Sequence, residues 1–186
     1  MDDSRWTEQA REVLLDCRIF RVTRVTSEGP HGKQAEFTVL NAPDWAVVVP
    51  VLDDGGPRRI LTVRQFRHGS NEMSVEFPGG VVDPGEEPAA AAARELLEET
   101  GYRAASIVHL GSCSPNPAFL SNRFHVFVGA GLSRVAEQAL DEHEFVDVQA
   151  LPEDEVLDAV GDPPWSHALM ATAAWYYRRW RERTPS

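Results

Sequence analysis

Gly80-Val-Val-Asp-Pro-Gly-Glu86, then residues 87–93, then Arg94-Glu95-Leu96-Leu97-Glu98-Glu99-Thr100-Gly101, reads as a loop feeding one helix. Pro88 suits a first helical turn, Ala89 to Ala93 are strong helix formers, and Gly101 suits the left-handed position just past a helix end. Each helical residue advances about 100°, so Glu95, Glu98 and Glu99 fall within an arc of roughly 100° on one face. Like charges at these spacings destabilise an isolated helix, so the arrangement is costly unless cations sit between them. Hard oxygen ligands of this kind select Mg²⁺, with Mn²⁺ as the alternative. Ala89, Ala92, Ala93, Leu96 and Leu97 read as the opposite face, packed against a sheet. Arg94 lies beside the carboxylates and can fix the rotamer of one of them. Gly79 and Gly80 let the backbone approach a metal closely, with a carbonyl there, that of Gly79, as an extra ligand. An alanine- and glutamate-rich helix is more often a solvated face. Against that reading stand the glycines, Glu86 and Arg94, all at fixed offsets.

Outward from this helix the chain alternates strands and turns. Ala46 to Leu52 is a nearly unbroken apolar run, as in a strand buried on both faces, although Pro50 implies an edge or a bulge. Ile60 to Arg67 reads as its hairpin partner across Asp53-Asp54-Gly55-Gly56-Pro57. Ser74 to Pro78, Ser106 to Gly111, Arg123 to Val128 and Glu144 to Ala150 are further strands. Helices are expected near Glu153 to Val160 and from Ser166 to Arg183. Towards the N-terminus, Arg11 to Val25 and Lys33 to Leu40 read as a hairpin around the turn at Ser27 to Gly32. Strands before and after one helix, with another helix closing the chain, predict an α/β domain: a mixed sheet covered by helices, spanning residues 1–186.

Composition narrows the partners. Eighteen basic against 29 acidic side chains give a formal net charge of −11, which repels nucleic-acid polymers and anionic membrane surfaces. A small anionic substrate remains possible where cations and local arginines reverse the field. Cys17 and Cys113 fit no metal or redox spacing. Charged residues from Asp2 to Arg18 leave no apolar signal core, and no stretch is long enough to span a bilayer, so a cytoplasmic protein is expected. The histidines form no ligand spacing; His68, His109, His125 and His167 are read as surface or satisfied polar residues.

The loop and helix together resemble the Nudix family, matching its box G-x5-E-x7-R-E-U-x-E-E-x-G-U, where U is bulky and aliphatic; the departure is Tyr102 at the last position. The resemblance implies an α/β/α sandwich and hydrolysis of a nucleoside diphosphate linked to a variable group. It makes Glu95 and Glu99 the principal Mg²⁺ ligands with Glu98 beside them, and gives Glu98 and Arg94 catalytic parts. Gly80, Glu86 and Gly101 become structural members of the box. Val63 to Arg67 and Glu76 to Gly80 resemble the ADP-ribose pyrophosphatase branch, which implies substrate contacts from Arg67, Arg64 and Glu76. Pro117 stands where that branch carries its marker proline, with Phe119 nearby as a further substrate contact. Asp141 to Phe145 resembles the branch's acidic loop, implying Glu142 as general base and Glu144 as supporting ligand. The branch also implies a homodimer exchanging the N-terminal hairpin of residues 1–45, with 46–186 as the catalytic core. A nucleoside triphosphate pyrophosphohydrolase of MutT type and a non-catalytic Nudix ligand sensor are the alternatives.

Overall fold

The computed structural model describes residues 4–140 and 142–184. In chain order its strands are β1 (Thr7–Asp16), β2 (Arg21–Glu28), β3 (Gln34–Asn41), β4 (Trp45–Leu52), β5 (Arg59–Arg67), β6 (Glu72–Glu76) and β7 (Gly79–Val81). After helix α1 (Pro88–Thr100) come β8 (Tyr102–Arg103), β9 (Ser106–Cys113), β10 (Phe124–Ala130), β11 (Ser133–Arg134) and β12 (Asp147–Pro152). Helices α2 (Glu153–Ala159) and α3 (Ala168–Arg183) follow. Contacts divide the chain into two compact units, Met1–Pro43 with Ser114–Arg123, and Asp44–Cys113 with Phe124–Ser186.

The first unit is a three-stranded antiparallel sheet in the order β1-β2-β3. Here the single strand expected from Arg11 to Val25 is corrected to two. The chain turns back between Asp16 and Arg21, closed by the Cys17 N–H donating to the Phe20 carbonyl at 2.9 Å and by an Arg21–Asp16 ion pair at 3.0 Å. That turn contains neither glycine nor proline, so nothing in its composition announces it. The segment Ser114–Arg123 is laced to β3: Leu40 donates to the Phe119 carbonyl at 2.8 Å, and Ser121 donates back to Leu40 at 3.2 Å.

The second unit holds a seven-stranded sheet in the order β12-β5-β4-β10-β9, with β6 paired to β5 and β7 to β4. β4 and β10 run parallel while the other pairs are antiparallel, so the sheet is mixed. Alternation along β4 sorts its side chains onto two faces. Ala46 and Val48 join Phe127 under Ala91, Ala92 and Leu96 of α1. Val47, Val49 and Val51 join Phe124, Val126 and Val128 under α2 and α3 through Val156, Leu157, Met170, Ala173, Ala174 and Tyr177. Both faces are thus covered, which explains the unbroken apolar run of β4.

Pro50 sits inside the sheet rather than at its edge. The Val48 N–H donates to the Pro78 carbonyl at 3.0 Å, so alternation aims the Pro50 nitrogen to the same side. There β4 pairs with β7 up to Val47 and with β5 from Val51 onward, and proline occupies the interruption between the two ladders. No helix among the described residues is long and apolar enough to cross a membrane.

Candidate active site

Helix α1 starts at Pro88 and stops at Gly101, whose φ of 74° is left-handed and whose N–H caps the Leu97 carbonyl. Its packed stripe differs from the expected one. Ala91, Ala92, Leu96, Glu99 and Thr100 are buried, whereas Ala89 and Ala93 are exposed. Ala92, Leu96 and Glu99 follow helical spacing, so one of the acidic residues lies on the packing stripe itself and is 5% exposed. Carboxylate face and core face therefore adjoin instead of opposing each other.

Arg94 is the hub of the cluster. Its Nε and Nη2 bind the two oxygens of Glu86 at 3.0 and 3.1 Å, and Nη1 reaches Glu95 at 2.8 Å and Glu98 at 3.0 Å. Nη2 also donates to the Val81 carbonyl at 3.0 Å, tying the loop to the helix. Glu86 accepts the Asp83 N–H at 3.1 Å and so shapes the loop from its other end. Glu99 instead accepts the Gly79 N–H at 3.0 Å. Burial pushes the Glu99 carboxyl up to about 8, with the Glu95 and Glu144 charges adding to it against the Gly79 N–H and Arg67. Burial likewise pushes Glu95 up, against the pull of Arg94. Gly80 lies so close to Glu95 that a Cβ there would be 2.7 Å from its Cδ.

A second charged group stands where β5 and β6 meet. Arg67 grips Glu76 through Nε at 2.8 Å and Nη2 at 2.6 Å. Glu76 is 1% exposed, and burial would push its carboxyl up, but the Arg67 bonds and the nearby His167 outweigh this and hold it well below the usual carboxylate range. His167 Nδ1 is 3.3 Å from Glu76 Oε2, an ion-pair distance without the direction of a hydrogen bond. No spacing or motif announces this His167 contact, because it joins residues 91 positions apart. Alternation along β5 puts Arg64 on the opposite face from Arg67, across from Asp147, so the two arginines are not brought together.

A family model described as NUDIX domain matches residues 42–171. The chain belongs to the Nudix family. It is 34% identical over 152 residues to an ADP-ribose pyrophosphatase of Bacillus subtilis strain 168, covering 81% of this chain and 80% of that protein. A methanol dehydrogenase activator of Bacillus methanolicus is 32% identical over 80% of each chain. The fold matches the crystal structure of an ADP compounds hydrolase with a TM-score of 0.83 at 26% identity, over 96% of this chain and 95% of that one. The expected α/β sandwich with a mixed sheet flanked by helices is the observed fold.

As a Nudix hydrolase the chain should offer oxygen ligands to a divalent cation. Among the described residues no three acidic, histidine or cysteine side chains already converge on one point at ligating distance. The donor set nonetheless fits a hard cation: burial disfavours the charged forms of Glu95 and Glu99, a cost that a divalent ion bound to them would offset. Each spends one oxygen on Arg94 or Gly79, and the other is the one a cation would take. Of the acidic loop, Glu144 is exposed, and its charge is felt at Glu95, Glu99 and Arg67, which ties this loop to the Nudix helix. Glu142 is exposed in a turn, and Asp141 lies outside the described residues. Pro117 and Phe119 belong to the first unit, Phe119 with much of its ring exposed. Tyr102, the departure from the box, packs against the Ala46 and Val48 cluster as the aliphatic residue would.

Proposed function

We propose that this Nudix hydrolase cleaves the diphosphate bond of ADP-ribose or a related nucleoside diphosphate sugar with Mg²⁺, giving a nucleoside monophosphate and a sugar phosphate. The observation that carries the reading is the set of carboxylates gathered on α1, with Glu95 and Glu98 held by Arg94, Glu99 held by the Gly79 N–H, and the Arg67 charge acting on Glu99. The names borne by the pyrophosphatase of Bacillus subtilis and the ADP compounds hydrolase support the substrate class.

Glu95, Glu99 and Glu98 would hold the cation, with the Gly79 carbonyl and Glu144 as further ligands. Bound there, it would neutralise the diphosphate and acidify a water for attack on phosphorus. Arg94 neutralises Glu86, Glu95 and Glu98 and fixes their rotamers. Arg67 has Nε and Nη2 committed to Glu76, which orients the remaining Nη1 edge towards a phosphate oxygen. Glu142 is the base that takes the proton of the attacking water, and Pro117 and Phe119 line the substrate.

In this reading the protein is a homodimer acting in the cytoplasm, where Cys17 and Cys113 stay reduced thiols. Nucleoside diphosphate sugars, dinucleotides and triphosphates are incubated with Mg²⁺ or Mn²⁺ and the products identified by mass. Release of nucleoside monophosphate from ADP-ribose, lowered by orders of magnitude in Glu99→Gln of unchanged fold, is the expected result. Full activity of that variant sinks the ligand assignment, and cleavage confined to triphosphates moves the chain to the MutT type.

A further inference from the structure

Two carbonyls of the last turn of α1 are tied to the two roots of the acidic loop, one by a backbone N–H and the other through a side chain that also holds the far root. Helix C-termini leave their last carbonyls without intrahelical partners. Here the Ala139 N–H takes the Glu98 carbonyl at 2.9 Å. The Gln138 side chain takes the next one: Nε2 donates to the Glu99 carbonyl at 2.7 Å. The same nitrogen donates to the Val146 carbonyl at 3.0 Å. A primary amide has two N–H donors, and both are used.

Val146 is buried and directly follows Glu144 and Phe145, whereas Phe145 is 84% exposed. The loop thus leaves α1 at residue 139 and returns to it at residue 146 through Gln138. Between these roots it carries Glu142 and Glu144, and Glu144 acts electrostatically on Glu95, Glu99 and Arg67. Both hydrogen bonds are partly buried, although Gln138 itself lies at the surface.

We propose that Gln138 is a positioning residue of the hydrolase, stapling the acidic loop to the backbone of the ligand helix so that the loop carboxylates keep their register against Glu95 and Glu99. The inference rests on the proposed hydrolytic function. A carboxylate that must meet a water within hydrogen-bond reach loses rate steeply with small displacements. Remote substrate contacts do not pass through this amide.

The test compares wild type, Gln138→Leu, which keeps bulk but removes both donors, and Gln138→Asn, which keeps the amide on a shorter stem. On the best substrate from the panel above, kcat of Gln138→Leu should fall about ten-fold with KM within two-fold, and the Mn²⁺ affinity read by electron paramagnetic resonance should weaken, because Glu144 is one of the ligands the loop carries. Hydrogen exchange of the amides from 142 to 146 should quicken while that of α1 stays as in wild type. In a background carrying Glu142→Gln and Glu144→Gln, adding Gln138→Leu should change kcat less than two-fold, because neither of the two carboxylates assigned a part in the reaction is left to misplace. An active wild type whose Gln138→Leu and Gln138→Asn variants keep full kcat, or lose the same factor in both backgrounds, overturns the staple alone. A wild type inactive on every diphosphate overturns the proposed function, and the staple with it.

Discussion

A methyl group added at Gly80 would meet the end of a side chain, whereas one added at Gly79 would meet backbone. The Cβ at Gly80 falls against the Glu95 carboxylate, which can swing away on its flexible stem. The Cβ at Gly79 lies 2.7 Å from Val47 Cα and closer still to the Ala46 carbonyl, in the paired region of β7 and β4. Two neighbouring glycines should therefore fail differently. Gly80→Ala is expected to melt with wild type but to lose ten-fold or more of its Mg²⁺-dependent hydrolysis, because the ligand is displaced. Gly79→Ala should be destabilised by about 1–3 kcal/mol as an overpacked site. Urea denaturation beside steady-state kinetics separates them, and equal loss of stability in both variants would refute the distinction.

At the scale of elements, Glu76 joins β6 to the end of β5 through Arg67 and to the start of α3 through His167. Its folded-state carboxyl is held below the ordinary value, so its stabilising effect is complete above an unfolded value of about 4.3 and is lost as pH falls through the folded one. Glu76→Gln should accordingly be less stable than wild type at neutral pH, with the gap closing at strongly acid pH. Denaturation midpoints measured at pH 7 and pH 3 test this; a gap that stays constant removes Glu76 from the acid dependence. This contact between elements is what sequence reading could not supply. Helix α1 was legible, since Pro88, the alanine run and Gly101 act within one element. So was the alternation of β4, read as burial on both faces. The break at Cys17 to Phe20 was hidden, because it is closed by an ion pair and a backbone bond rather than by turn residues. Burial of Glu99 was missed because helical spacing alone cannot tell where along the wheel the sheet will sit. Gln138 gave no signal, because its partners are two carbonyls that only the folded loop brings together.

At the scale of the molecule, the net charge of −11 makes copies of the chain repel one another, yet the N-terminal unit displays apolar side chains to solvent. Val13, Leu14, Leu15 at 56% exposure, Ile19 at 69% and Phe37 all lie open on β1, β3 and the turn after β1. Every residue of β1 is exposed, so this strand has little of its own unit to bury against. Apolar surface concentrated on one small element marks an interaction site, and the proposed homodimer would cover it. If it does, charges placed there should split the dimer without unfolding the second unit, whose core is made by its own sheet and helices. Wild type should elute and scatter light as a dimer at micromolar concentration, while the double variant Leu15→Asp, Ile19→Asp should run as a monomer. Hydrolysis by the monomer then asks whether the active site is complete in one chain. A wild-type protein that is already monomeric, or a double variant that remains dimeric, would separate this apolar surface from self-association.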